Sequence, residues 1–214
     1  VREVVTGRLP WIRLQRSRYR AADPAPFLEY VDGEGHWVFG ERRVLRLVHA
    51  GGRRGVTLEP RDTTASSDAG SLALRVEPFA SHAVRQRTYE AWLRRLLSDE
   101  IERLVAHWAP ELGVSVKEWG IKRMKTRWGT CNHRAGRIWL NLELAKRPRT
   151  CLEYVVVHEL AHLLVPNHSR DFWRVLDRHM PGWKGARSEL GRWPLWADGR
   201  LTDAQATSEA GGEP

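Results

Sequence analysis

The sequence predicts an α+β fold: an antiparallel β-rich segment over residues 1–80, then a helix-dominated region with a small sheet. Three observations predict it. Short apolar runs alternate with turn residues before position 80. From Ser81 to Trp108 the apolar residues recur at three- and four-residue steps, the spacing of an amphipathic helix. Beyond that stretch, strand-like and helix-like segments follow one another closely.

The elements follow in order. Trp37-Val38-Phe39, Val44 to Val48, Val56-Thr57-Leu58 and Leu72 to Val76 read as strands. Asp32-Gly33-Glu34-Gly35, Gly51-Gly52 and the polar run from Arg61 to Gly70 separate them, which predicts a meander of antiparallel strands. The basic opening, with Arg13, Arg16, Arg18 and Arg20, has no clear period and reads as loop. Ser81 caps the long helix, and Pro110 with Gly113 ends it. Val114 to Trp119 reads as a strand, Ile121 to Cys131 as a basic segment containing glycine, and Arg137 to Leu142 as another strand after a turn at Ala135-Gly136. A helix starts near Pro148, a residue suited to the first turn. A further helix runs from about Ser169 and stops at Pro181-Gly182. Trp183, Trp193 and Trp196 form an aromatic cluster of no assigned role, and residues 199–214, polar and rich in glycine, read as a disordered tail.

Composition bounds the function. The 214 residues carry a net charge of +9, and five lysines leave thirty arginines among the 35 basic residues. Arginine suits phosphate and carboxylate recognition, so acidic partners fit, nucleic acid among them. No window approaches the length of a membrane-spanning apolar helix, so no membrane partner is expected. Two cysteines, Cys131 and Cys151, give no disulfide framework; with no apolar core of a signal peptide at the start, a reduced cytoplasm is the expected compartment.

The chemistry concentrates in residues 158–168, His158-Glu159-Leu160-Ala161-His162-Leu163-Leu164-Val165-Pro166-Asn167-His168. Helical positions four apart share a face about one turn apart, so His158 and His162 can address one metal ion. Glu159 stands beside the first of them, placed to take a proton from metal-activated water as a general base. Chance alone gives such a pattern about 0.03 times in this chain, and about 0.001 times with His168 included. The spacing to His168 matches the metzincin pattern, but Val165 stands where that pattern has Gly. Pro166 predicts a helix end near Val165, and Asn167 tolerates the left-handed conformation that a tight turn demands. His168 can then return to the metal as third ligand; Glu189 and His179 are its rivals. Three protein ligands leave a fourth tetrahedral position open, the catalytic arrangement for zinc, here one Zn2+ per chain.

Together these segments resemble the YgjP-like metallopeptidases, a zincin family related to the SprT-like and WLM zinc proteases. The matching pieces are Arg127-Trp128-Gly129-Thr130-Cys131, Gly136 with Ile138-Trp139-Leu140-Asn141, Tyr154 to His162, and Pro166-Asn167-His168-Ser169 with Phe172-Trp173. They cover roughly residues 80–185; Thr130 departs from the Ser usual at its position. The resemblance implies a zincin-like catalytic domain over residues 81–198, with zinc on the three histidines and Glu159 as catalytic base. It implies that Ile138, Leu140 and Asn141 lie on an edge strand beside the cleft, where an extended peptide can pair. Arg127 and Trp128 are candidate substrate contacts, although the turn that holds them can equally brace the metal helix. Trp173 would pack under the turn of His168. The expected substrate is peptide or protein. A metal-dependent nucleoside triphosphate pyrophosphatase is an alternative, with Lys122, Arg123, Lys125 and Arg127 as phosphate contacts. A nucleic-acid-associated protease is another, since SprT-like and WLM relatives act on DNA-linked proteins.

Overall fold

The computed structural model describes residues 28–49, 54–59, 70–193, 195–197 and 200–201. The basic opening, the Gly51-Gly52 turn, positions 61–69 and the tail beyond 201 lie outside the described residues. Four strands come first: β1 (Gly35–Val38), β2 (Glu41–His49), β3 (Gly55–Leu58) and β4 (Ser71–Val76). Their sheet has the order β1-β2-β4-β3. The pairing of β2 with β4 is parallel, which corrects the antiparallel meander. A parallel neighbour needs a long crossover, and the stretch between His49 and Ser71 supplies it. β3, which lies in that stretch, takes the far edge, antiparallel to β4. Leu45, Leu72 and Leu74, fully buried on the central strands, face the core.

Helix α1 (His82–Leu112) has 31 residues and so spans about 46 Å. Its buried Tyr89, Leu93, Leu97, Ile101 and Leu104 follow the helical period read from the sequence. Gly113 ends it at φ 66°, and the N–H of Val114 reaches back to the carbonyl of Ala109 at 2.9 Å. The helix touches both the four-stranded sheet and the region that follows.

A second sheet comes next, with β5 (Glu118–Lys122), β6 (Gly129–Asn132) and β7 (Arg137–Asn141) in the order β5-β7-β6. β5 begins four residues later than the predicted strand, because Ile121 and Lys122 of the basic segment pair in parallel with Leu140 and Asn141. A 3-10 turn (Leu142–Lys146) leads into α2 (Arg149–Ala161), capped by Pro148 one residue before the helix. Val155-Val156-Val157 favours a strand by propensity alone. Burial on all sides of α2 overrides that preference. α3 (Arg170–His179) and α4 (Trp183–Gly191) complete the main body, followed by a two-stranded ribbon of β8 (Trp196–Ala197) and β9 (Arg200–Leu201). One apolar cluster runs from Tyr30 to Leu195 and joins both sheets to α1 and α2.

The tip of the β1–β2 hairpin bears on the active-site region. Phe39 and Gly40 both have positive φ, 45° and 82°, as a two-residue turn of right-handed strands requires. The N–H of Phe39 donates to the carbonyl of Ala145 at 2.8 Å. A Cβ on Gly40 would lie 2.9 Å from Cγ of Pro148, so only glycine lets the tip sit so close to the start of α2.

Candidate active site

His158 and His162 lie on successive turns at the end of α2, with ring centroids 4.8 Å apart. The helix proper ends at Ala161, and 3-10 bonds from Leu163 to Leu160 and from Leu164 to Ala161 tighten the exit. Pro166-Asn167 then turns the chain without a left-handed residue: Asn167 is not among the positive-φ positions. His168 thereby returns to α2, and its Nε2 lies 3.0 Å from Nε2 of His158. One ligand atom from each of the three histidines falls within 4.8 Å of the others. Two nitrogens on a tetrahedral zinc at about 2.0–2.1 Å stand about 3.4 Å apart, close to this spacing. Imidazoles gathered with no carboxylate among them fit a divalent cation.

The surroundings prepare the rings as ligands. Nδ1–H of His162 donates to the carbonyl of Val165 at 3.2 Å, which leaves Nε2 with its lone pair for a metal. The hydroxyl of Tyr154 stands 3.5 Å from Nδ1 of His158. Phe172 packs against all three rings at 4.9, 4.6 and 4.8 Å between centroids. Trp173 stacks on His168 at 5.5 Å, and Trp183 stacks on Trp173 at 4.9 Å. Burial, reinforced by the neighbouring rings, holds His158 well below the usual histidine range. Burial also pushes His162 down to about 4. Both shifts favour the neutral imidazole, the form that binds metal.

Glu159 is 5% exposed and faces away from bulk water. Burial pushes its carboxyl up to about 8, against the pull of the Arg127 charge. A bound cation would act in the same direction as Arg127. Gly129 of β6 lies directly on this side chain: a Cβ there would sit 2.7 Å from Cγ of Glu159 and closer still to Oε1. The Trp128-to-Cys131 segment therefore packs on α2 beside the glutamate.

The candidate substrate residues separate by burial. Ile138, Leu140 and Asn141 are all fully buried, and Trp128 is nearly so. Asn141 is a clamp: its Nδ2 donates to the carbonyls of Met124 at 2.8 Å and Arg127 at 2.7 Å, and its Oδ1 accepts from the N–H of Glu143 at 3.2 Å. β7 is not an edge strand, which corrects that expectation. It is the centre of its sheet, with both sides occupied by β5 and β6. The most apolar strand takes the centre, and the edge beside Glu159 falls to β6. Of the basic residues, Lys122 sits 3.5 Å over the ring of Trp139, and Arg123 bridges Glu90 at 2.8 Å and Glu143 at 3.8 Å. The rival ligand Glu189 accepts from Trp193 Nε1 at 3.2 Å and pairs with Arg192. Neither it nor His179 joins the histidine cluster among the described residues.

In the sequence Phe172 and Gly129 stand out only as parts of the resemblance, with no role of their own. Phe172 lies in the first turn of α3, just past His168, and so faces the histidines. Gly129 carried no local signal, because its need to be glycine arises from α2.

The family comparison agrees with this geometry. The YgjP-like metallopeptidase domain matches residues 1–192. The chain belongs to the YgjP-like metallopeptidase family. Among solved structures, that of the metallopeptidase zymogen of Pyrococcus abyssi abylysin is similar, at 26% identity, over 42% of this chain and 90% of that one, with a TM-score of 0.39. Among curated proteins none matches. No helix of the described residues of this YgjP-like chain is long and apolar enough to cross a membrane.

Proposed function

We propose that this metallopeptidase is a zinc enzyme that cleaves peptide bonds, with one zinc held by His158, His162 and His168 and with Glu159 as general base. The observation that carries the reading is a buried glutamate next in sequence to His158, one of three convergent imidazoles. Zinc, when bound, supplies a Lewis acid and brings the pKa of water near neutrality. Glu159 accepts a proton from the attacking water as the oxygen–carbon bond forms. It returns that proton to the amide nitrogen as the carbon–nitrogen bond breaks. Tyr154, Val165 and Phe172 hold the imidazoles in orientation.

The substrate enters as an extended peptide whose main chain pairs with β6, the edge strand beside Glu159. Ile138 and Leu140 hold that edge from the neighbouring strand β7, and Asn141 and Trp128 fix the chain that enters it. Cys131 and Cys151 both stand free, which supports a reducing compartment.

The test is metal content followed by turnover. Protein expressed with zinc binds one zinc per chain and cleaves an unfolded protein substrate. Glu159→Gln retains the zinc and loses cleavage. Zinc well below one per chain, or full turnover by Glu159→Gln, removes the reading.

A further inference from the structure

Arg127 differs from the basic residues around it. Lys122 is spent on Trp139, and Arg123 on two glutamates. The guanidinium of Arg127 is exposed and makes no hydrogen bond or ion pair among the described residues. Its backbone, in contrast, is fixed. The Arg127 carbonyl is gripped by the fully buried Asn141, and the next residue, Trp128, is buried with its carbonyl bonded to the Asn141 N–H at 2.8 Å. Two residues further on, Gly129 touches Glu159. A rigid mount thus carries an unpartnered cation beside the reacting centre. The charge is close enough to act on the Glu159 carboxylate.

Arg127 precedes by two residues Gly129, the β6 residue that touches Glu159, so an extended peptide paired with β6 would bring a group about two residues from the scissile bond toward it. The planar guanidinium fork matches a carboxylate in two parallel hydrogen bonds. We propose that Arg127 is a specificity-determining residue that binds a substrate carboxylate about two residues from the scissile bond. The carboxylate belongs either to an acidic side chain or to a free C-terminus. This rests on the peptidase reading above and names its substrate class.

The experiment uses the zinc-loaded full chain and peptides with one cleavable bond. Glu, Gln or Lys is placed two residues to either side of that bond, and short versions end there as free acid or amide. The expected result is a kcat/KM at least about tenfold higher for Glu over Gln, or for acid over amide, expressed mainly in KM. The two comparisons tell side chain from terminus. Arg127→Ala erases that ratio, Arg127→Lys keeps part of it, and Arg127→Glu reverses it in favour of Lys. Binding of the same peptides to the Glu159→Gln protein, read by fluorescence anisotropy, follows the same order, and the Glu advantage shrinks at about 0.5 M salt. Equal cleavage of Glu and Gln peptides by the wild type overturns the assignment. So does an equal fractional loss on both peptides in Arg127→Ala, which would indicate transition-state stabilisation instead. If no peptide is cut at all, the peptidase reading fails, and the anisotropy order still decides whether Arg127 selects a carboxylate.

Discussion

The two sheets of this protein each sit against histidine, and they treat it differently. In the four-stranded sheet His36 is almost fully buried, and its Nε2 lies 2.6 Å from a carboxylate oxygen of Glu34. That carboxylate also accepts from the N–H groups of Glu29 and Tyr30, and Tyr30 and Tyr89 pack on the imidazole. The ring has an acid for a partner at Nε2. Next to the three-stranded sheet, His158, His162 and His168 converge on one another, with the Tyr154 phenol beside His158 and the Val165 carbonyl beside His162. Like groups at 3.0 Å gain little from each other, so the arrangement makes sense with a cation between them. A buried histidine matched to an acid belongs to the architecture; half-buried histidines that converge on one point belong to chemistry.

The sharpest way to break this contrast is to remove one ring from each cluster. His162→Ala lowers zinc from one per chain to near zero and abolishes cleavage, whereas His36→Ala leaves the zinc content at one and lowers thermal stability. Mass spectrometry of metal content separates the two, and loss of zinc in His36→Ala would end the distinction. Next in size is Glu159→Gln, which keeps zinc and reduces kcat by about 10²–10⁴-fold, the usual range for removing a general base.

Gly129→Ala comes third. The added methyl group must displace the Glu159 side chain or shift β6, at about 1–3 kcal/mol of stability. Chemical denaturation measures that loss, and a kcat reduction at unchanged zinc content locates the displacement at Glu159. Wild-type stability and turnover in this variant would show that β6 and α2 are not in register as described.

The smallest effect is pH-dependent. Burial lowers the pKa of His36 despite the Glu34 hydrogen bond. A group whose folded pKa is depressed contributes stability above its unfolded value, about 6.5, and loses that contribution as pH falls toward the folded value. The groups around it are Glu34, Tyr30, Tyr89 and, further off, Lys146. His36→Asn therefore narrows the drop in Tm between pH 7 and pH 5. An unchanged drop would assign acid sensitivity to other groups.

Much of this was legible in the chain. His158, Glu159, His162 and His168 sit within eleven residues, so local helical spacing and one proline were enough to bring them together. The long helix was equally plain, because its period persists over many turns. Non-local pairing was not legible. Nothing in Val44 to Val48 says that its neighbour is a parallel Leu72 to Val76, since both strands alternate alike. The same limit put Arg137 to Leu142 at an edge. Gly129 to Asn132 shows no apolar alternation, so β6 was not read as a strand. Its place is set by Leu140 and Ile138 across the sheet and by Glu159 beneath. The burial of Asn141 followed the same rule: a polar residue at the end of a strand looks exposed until its four backbone partners assemble around it.

The hairpin tip at Phe39-Gly40 has a mechanical consequence. It bears on Ala145 and Pro148, at the root of the helix that carries His158. Loosening of the first sheet is therefore expected to free the start of α2, and with it the frame that holds His158.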